Sequence, residues 1–386
     1  MPSSTDAGRR DLGVYVHIPF CAIRCDYCDF ATWTDRGGLV DAYVDACVTD
    51  LRGRVAAGEL TPASSVFFGG GTPSLLAPDA LVRILDEIPR RAAAEVTVEC
   101  NPDSVDGPKL RAYARAGVNR CSFGVQSMQP HVLAALGRTH DPANVTRAVA
   151  AARDAGIENL NLDLIYGAHG ESRADWDATL EAALALDPPH VSAYALTVEP
   201  PTPLGRRVAA GTSPGPDDDD QAAKYERADE VLGGSGRPWY EVSNWARPGH
   251  ECRHHLLYWA QGDYVGIGCA AHAHRPGVRS WNVRAPERYL ERIAAGRSPE
   301  AGRETLDPAT RADEALGLAL RTRAGASVPA AAAAEAAALE AAGLLAGRAE
   351  RVALTRRGRL LATEVTVRLL AAATPTVSTS VAVGTR

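Results

Sequence analysis

The sequence predicts an α/β fold, a partial (β/α)6 barrel followed by a small C-terminal winged-helix-like domain. Three observations predict it. Short apolar runs alternate with amphipathic helical patterns six times in succession, and repeated βα units give a parallel sheet with helices outside it. Six units fall short of the eight that close a barrel, so this one is expected to be open. After the last unit the order changes to helix, short strand, helix.

The expected strands are 14–18, 65–68, 95–100, 119–125, 159–165 and 190–196. The expected helices are about 39–54, 78–92, 106–117, 142–155 and 172–186, with a short one near 130–137. In the first helix Val40, Tyr43, Val44, Cys47 and Leu51 fall on one stripe, which makes Cys47 a core residue. Residues 198–218 are rich in Pro and Gly and read as a loop. They run into Asp217–Asp220, acidic residues that favour the start of a helix over 219–233. Residues 327–344 are Ala-rich and helical, Val352–Thr355 reads as a strand, and Arg356–Leu370 as another helix. The expected organisation is a barrel over 1–235, a connecting segment over 236–300, the winged-helix-like domain over 301–372 and a loose tail over 373–386.

Composition narrows the class. Of the 386 residues 46% are hydrophobic and 23% charged, which excludes a disordered chain. No apolar run approaches the ~18 residues of a membrane span. Residues 1–13 hold no apolar core, so the chain reads as cytoplasmic, with membrane contact only through a partner. The net charge of −6 leaves no global footprint for nucleic acid. The arginines at 348, 351, 356, 357 and 359 read as a solvated face, so no nucleic-acid partner is expected.

Three of the eight cysteines cluster, Cys21, Cys25 and Cys28, directly after the first strand. In a reducing compartment such a cluster points to a metal or redox site. A [4Fe–4S] cluster normally takes four thiolates. Three can hold three irons and leave the fourth open to a ligand, as open positions do in catalytic metal sites. A Cys3His zinc site that includes His17 is the competing reading, although the spacing is not that of a zinc ribbon.

The C-x3-C-x2-C loop resembles that of the radical S-adenosylmethionine superfamily. Tyr15-Val-His-Ile-Pro-Phe-Cys21, Gly69-Gly70-Gly71-Thr72-Pro73, Glu99-Cys-Asn101-Pro102, Gly124-Val-Gln126-Ser127 and Asp163-Leu-Ile-Tyr-Gly167 narrow it. They are similar to the oxygen-independent coproporphyrinogen III oxidase group, over about residues 13–370. The resemblance implies a [4Fe–4S] cluster on the three cysteines. It implies contacts to S-adenosylmethionine from Tyr15, Gly70, Gly71, Thr72, Glu99, Gln126, Arg138 and Asp163. Their chemistry agrees: glycines let backbone N–H groups approach a ligand, and carboxylates accept from amino and hydroxyl groups. Gly167 is followed by Ala168-His169-Gly170 where the group commonly has Leu-Pro or Thr-Pro. The stiffening proline is lost, and His169 reads as a surface loop residue.

Two departures separate this chain from the oxidases of the group. The oxidases resemble C-x3-C-x2-C-x-C, and the position of the last cysteine is Phe30. They also carry a longer segment before the motif. Both point to the sister branch, the HemW-type heme chaperones. That branch shows His-Asn-x-x-Tyr-Trp and then Gly-Asp-Tyr-x-Gly-x-Gly. This chain has His254-His255-Leu-Leu-Tyr258-Trp259 and then Gly262-Asp263-Tyr264-Val-Gly266-Ile-Gly268. A neutral imidazole is a proper heme ligand and aromatics stack on a macrocycle, which makes His254 the candidate heme ligand, with His255 as a spare. The resemblance implies heme as a cofactor and transfer to a heme-acceptor protein, with an electron donor or heme donor as further partners. The alternative activity is coproporphyrinogen III decarboxylation. The pairs Cys252 and His254, or His272 and His274, are alternative zinc ligands.

Overall fold

The computed structural model describes residues 11–348 and 350–373. Residues 1–10 and residues 374–386 of the expected tail lie outside the described residues. The chain divides into two compact units at Asp307/Pro308.

The first unit contains all six expected βα units. In chain order they are β1 (Leu12–Ile18), α1 (Val40–Ala56), β2 (Ala63–Gly70), α2 (Pro78–Asp86), β3 (Arg90–Cys100), α3 (Gly107–Ala116), β4 (Arg120–Gln126), α4 (Pro130–Ala135), α5 (Pro142–Asp154), β5 (Asn159–Tyr166), α6 (Arg173–Ala185) and β6 (His190–Ala195). β1 to β6 pair in parallel in sequence order. The expected helix over 78–92 ends at Asp86. Pro89 disfavours helical backbone in the residue before it, and β3 begins one residue later. The expected loop over 198–218 contains α7 (Pro203–Ala209), whose start is capped by the Thr202 hydroxyl. α8 (Asp218–Gly234) is capped by Asp217.

Residues 236–300, expected as a connecting segment, extend the sheet at both edges. β7 (Trp239–Glu241) and β8 (Asn244–Ala246) lie beyond β6, and α9 (Arg253–Trp259) follows. Then come β9 (Asp263–Ile267), β10 (His272–Arg275), β11 (Val278–Asn282), α10 (Pro286–Ala294) and β12 (Glu300–Thr305). β9 runs parallel to β1, and β10 to β12 continue as an antiparallel meander. The result is a twelve-stranded sheet in the order β12-β11-β10-β9-β1-β2-β3-β4-β5-β6-β8-β7.

The pleat sorts the side chains. Val14, Val16, Val66, Phe68, Val96, Val98, Cys121, Phe123, Leu160 and Leu162 share one face and are all buried. Most alternate residues, which share the other face, are polar: Ser65, Glu95, Thr97, Arg120, Ser122, Asn161, His190 and Ser192 are also buried, with Phe67 among them. A buried polar face must hydrogen-bond to itself. Asn161 Nδ2 donates to Ser122 Oγ (2.7 Å), Asp163 Oδ1 (2.8 Å) and Ser192 Oγ (2.9 Å). His190 bridges Asn161 and Tyr240.

The second unit holds α11 (Pro308–Leu320), α12 (Ala333–Ala341), the antiparallel hairpin β13 (Leu345–Arg348) and β14 (Arg351–Leu354), α13 (Arg356–Leu360) and α14 (Ala362–Ala373). Leu316, Leu320, Leu339, Val365 and Leu369 are buried. The single helix expected over 356–370 is two, and the partner strand β13 was not expected.

The departing loop after β5 keeps a fixed shape without proline. Gly167 N–H donates to Glu171 Oε2 (2.6 Å), and Lys224 Nζ donates to the same carboxylate (3.0 Å) and to the Glu171 carbonyl (2.8 Å). Both side chains are essentially inaccessible. Removing one partner of a buried pair leaves an uncompensated charge. Lys224→Ala is expected to cost about 3–5 kcal/mol in urea unfolding. A loss below about 1 kcal/mol would show that the pair does not hold the loop.

Candidate functional site

The loop after β1 carries the three cysteines and is tied down at both ends. Cys21 N–H donates to the Trp33 carbonyl (3.0 Å), and Trp33 N–H to the Pro19 carbonyl (2.8 Å). Asp26 N–H donates to the Leu136 carbonyl (3.3 Å), and Leu204 N–H to the Asp26 carbonyl (2.9 Å). All three thiols are free and half-buried. Burial, and after it the neighbouring sulfurs, push Cys28 up to about 11. Such thiols give up their protons when a metal takes the sulfur.

The donor set fits an iron–sulfur cluster better than one ion. Among the described residues no three His, Cys, Asp or Glu side chains converge on a single-ion position. In a cubane each thiolate takes its own iron, which spreads the sulfurs apart. His17, the fourth ligand of the zinc alternative, is committed elsewhere. Its Nε2 is 2.9 Å from the Ala31 carbonyl and its Nδ1 is 3.1 Å from the Tyr15 hydroxyl.

The glycine loop closes over His17. Gly70 has φ +109°, and a Cβ there would stand 2.5 Å from the His17 ring. A Cβ at Gly71 would stand 2.6 Å from the Phe20 carbonyl. Only glycine allows this approach. Gly71 N–H and Thr72 N–H donate to the Ile18 and Phe20 carbonyls, both at 2.8 Å. The Thr72 hydroxyl points at Cys21 Sγ (3.7 Å). Arg138 reaches the same loop, with Nη1 3.6 Å from Cys25 Sγ and Nη2 donating to the Gly124 carbonyl (2.7 Å). Gln126 lies in the left-handed region at φ 64°, at the register shift of β4. A non-glycine residue there is strained backbone, which concentrates at binding sites.

Glu99 and Asp163 lie deeper. Gly70 N–H donates to Glu99 Oε2 (3.2 Å). Asp163 Oδ2 accepts from the Ser122 hydroxyl (2.7 Å). Burial, and behind it the Asp163 charge, push Glu99 up to about 7. Tyr15 stacks on Phe67 with ring centroids 6.3 Å apart, and its hydroxyl is 3.1 Å from His17 Nδ1. The structure therefore brings Thr72 and Arg138 to the cysteine loop and places Gly70, Glu99, Asp163 and Tyr15 on the polar face beneath it.

His254 lies further along the same face, its ring 6.5 Å from that of Tyr15 and stacked on Phe67 at 5.3 Å. α9 crosses the opposite end of the sheet, where Gly13 of β1 packs on the His254 ring. His254 is fully buried. Its Nδ1 is 2.9 Å from the Ser65 hydroxyl and its Nε2 is 2.8 Å from the Tyr258 hydroxyl. Its backbone N–H and the Cys252 thiol both point at Glu95 Oε1. Neither ring nitrogen is free to bind iron in this arrangement. His255 packs on Phe67 (5.2 Å), half-buried. His274 Nδ1 is 3.0 Å from the Gly262 carbonyl.

Sequence reading missed His17 as the support of the glycine loop, and Ser122 and Asn161 as positioners of Asp163. The pattern Asn159-Leu-Asn161-Leu-Asp163-Leu carried the second signal. Polar residues at period two on a central strand mark a polar face.

These features define a radical S-adenosylmethionine fold. Residues 15–183 match the family model of the Radical SAM superfamily. The solved coproporphyrinogen III oxidase HemN of Escherichia coli shares the fold at TM-score 0.81. It is 22% identical and covers 93% of this chain and 90% of that one. The heme chaperone HemW of Mycobacterium tuberculosis is 42% identical over 380 residues, 96% of this chain and 97% of the relative. The heme chaperone HemW of Escherichia coli K12 is 41% identical over 266 residues, 68% of this chain and 69% of the relative. The chain belongs to the HemW family within that superfamily.

The Glu99 shift has a stability consequence. Between about pH 4.5 and pH 7 the folded protein holds a proton that the unfolded chain releases, so stability falls as pH rises through this window. Glu99→Gln is expected to remove that fall, gaining on the native protein as pH goes from about 5 to 8 in urea unfolding. Parallel pH profiles for the two proteins would refute the assignment.

Proposed function

We propose that this protein is a heme chaperone. It holds a [4Fe–4S] cluster on Cys21, Cys25 and Cys28, binds S-adenosylmethionine beside it, carries heme and passes it to an acceptor protein. The observation that carries this reading is the 42% identity to a heme chaperone across 96% of the chain. Phe30 supports it against the oxidase alternative. It stands 61% exposed where the oxidase pattern has a further cysteine.

When bound, the cluster would offer one iron without a thiolate to the amino and carboxylate groups of the cofactor. The chain's own residues do the rest. Thr72 and Arg138 set the sulfur environment. The Glu99 carboxylate and the Gln126 backbone would meet the cofactor's polar groups, while the glycine loop, its N–H groups already bonded to Glu99, Ile18 and Phe20, allows close approach. Tyr15 and Asp163 close the site from below. An electron donor or heme donor would complete the partner set. No helix among the described residues is long and apolar enough to cross a membrane.

The test is a hemin titration of the cluster-reconstituted full chain, with a coproporphyrinogen III turnover assay on the same sample. Saturable heme binding near one per chain and no protoporphyrinogen are expected. Turnover without saturable heme binding would replace the chaperone reading with the oxidase.

A further inference from the structure

Asp26 stands between the second and third cysteines of the loop, and its backbone and side chain are both engaged. Its N–H donates to the Leu136 carbonyl at the end of α4 (3.3 Å), and its own carbonyl accepts from Leu204 N–H of α7 (2.9 Å). Its carboxylate pairs with Arg207, in the last turn of α7, at 2.8 Å. Leu136 and Leu204 belong to one buried apolar cluster with Val132 and Ile165, so both backbone anchors are firm. Gly137 permits the close approach of α4. It lies at φ +69°, and a Cβ there would stand 2.9 Å from Asp26 Cγ.

The two backbone bonds do not need the Asp26 charge, yet the charge is there and is matched. Asp26 and Arg207 are both half-buried, at the wall of a cavity of about 340 Å³. Partly buried charges are screened much less than exposed ones. Asp26 follows Cys25 directly, and a second guanidinium, Arg138, has Nη1 3.6 Å from Cys25 Sγ. The surroundings of Cys25 therefore combine one carboxylate with two guanidinium groups.

We propose that Arg207 is a positioning residue for the cluster: through Asp26 it anchors the loop between Cys25 and Cys28 and neutralises a carboxylate that would otherwise make the cluster harder to reduce. The inference rests on the [4Fe–4S] reading above. Reduction adds a negative charge to a cluster, and net charge is one of the properties that set its potential. A nearby carboxylate opposes the added charge and a guanidinium favours it. Paired, the two nearly cancel. Loss of either partner uncovers the other, so the two losses shift the potential in opposite directions. α7 is thus the element that delivers the counter-charge to the cysteine loop.

The experiment is an anaerobic redox titration of the cluster-reconstituted full chain, followed by electron paramagnetic resonance. It compares the native protein, Arg207→Gln, Asp26→Asn and the double variant, with iron per chain measured on each. Arg207→Gln is expected to lower the reduction potential and Asp26→Asn to raise it. The double variant is expected near the native value, with iron content unchanged throughout. Arg207 is half-buried at the end of a short helix, so Arg207→Gln is expected to fold, which circular dichroism checks. Potentials that stay in place, or that move the same way in both single variants, overturn the proposal and leave the cluster reading standing. Loss of iron from Arg207→Gln with no shift in the cluster that remains also overturns it, because that is the mark of a purely structural pair. Should Asp26→Asn take up no iron, Arg207→Gln decides alone: a lowered potential supports the proposal, and an unchanged or raised one overturns it. A native chain that takes up no cluster overturns the cluster reading and this inference together.

Discussion

Everything in the first unit depends on one constraint: the inner face of its sheet is polar and buried. A buried polar group without a partner costs about 1–3 kcal/mol, so most of that face is bonded from within or capped, although Thr97 Oγ1 and Arg120 Nε and Nη1 have no hydrogen-bond partner among the described residues. β5 does the first, through Asn161 and its three acceptors. α9 does the second. His254 joins Ser65 to Tyr258, and Glu95 takes the N–H of His254. The segment that reads in sequence as a heme motif is, in space, the cap on the closed end.

The same face explains how the open end works. Parallel strands deliver their following loops to one edge. The cysteine loop is the first of these, and its neighbours hold it. The glycine loop after β2 hangs on its Ile18 and Phe20 carbonyls, α4 ends at the Leu136 carbonyl that takes Asp26 N–H, and α7 returns Leu204 N–H to Asp26. The thiols are therefore placed before any iron arrives. The arrangement limits the reorganisation that binding would need, which is how a rigid scaffold helps a functional loop.

Much of this was legible in the sequence. The six βα units were, because apolar runs of strand length alternated with helical stripes. The cysteine loop, the glycine loop and the two carboxylates were, because motif spacing and strand ends coincide. The six strands β7 to β12 were not. β7 and β8 are only three residues long, and β10 to β12 form an edge meander rich in Arg and Glu, so neither has an apolar run to betray it. α7 was hidden by the Pro and Gly around it, although Thr202-Pro203 is a good helix start. The position of His254 was not legible either. Sequence shows that an imidazole stands beside aromatics, but not that Ser65, 189 residues earlier, claims its second nitrogen.

The most direct measurement is electron paramagnetic resonance of the reduced, anaerobically reconstituted full chain, with and without S-adenosylmethionine. Three thiolates and one open iron predict about four irons per chain and a signal whose shape changes when the cofactor is added. A signal indifferent to the cofactor, or one that survives Cys25→Ser unaltered, would contradict a site built on Cys21, Cys25 and Cys28.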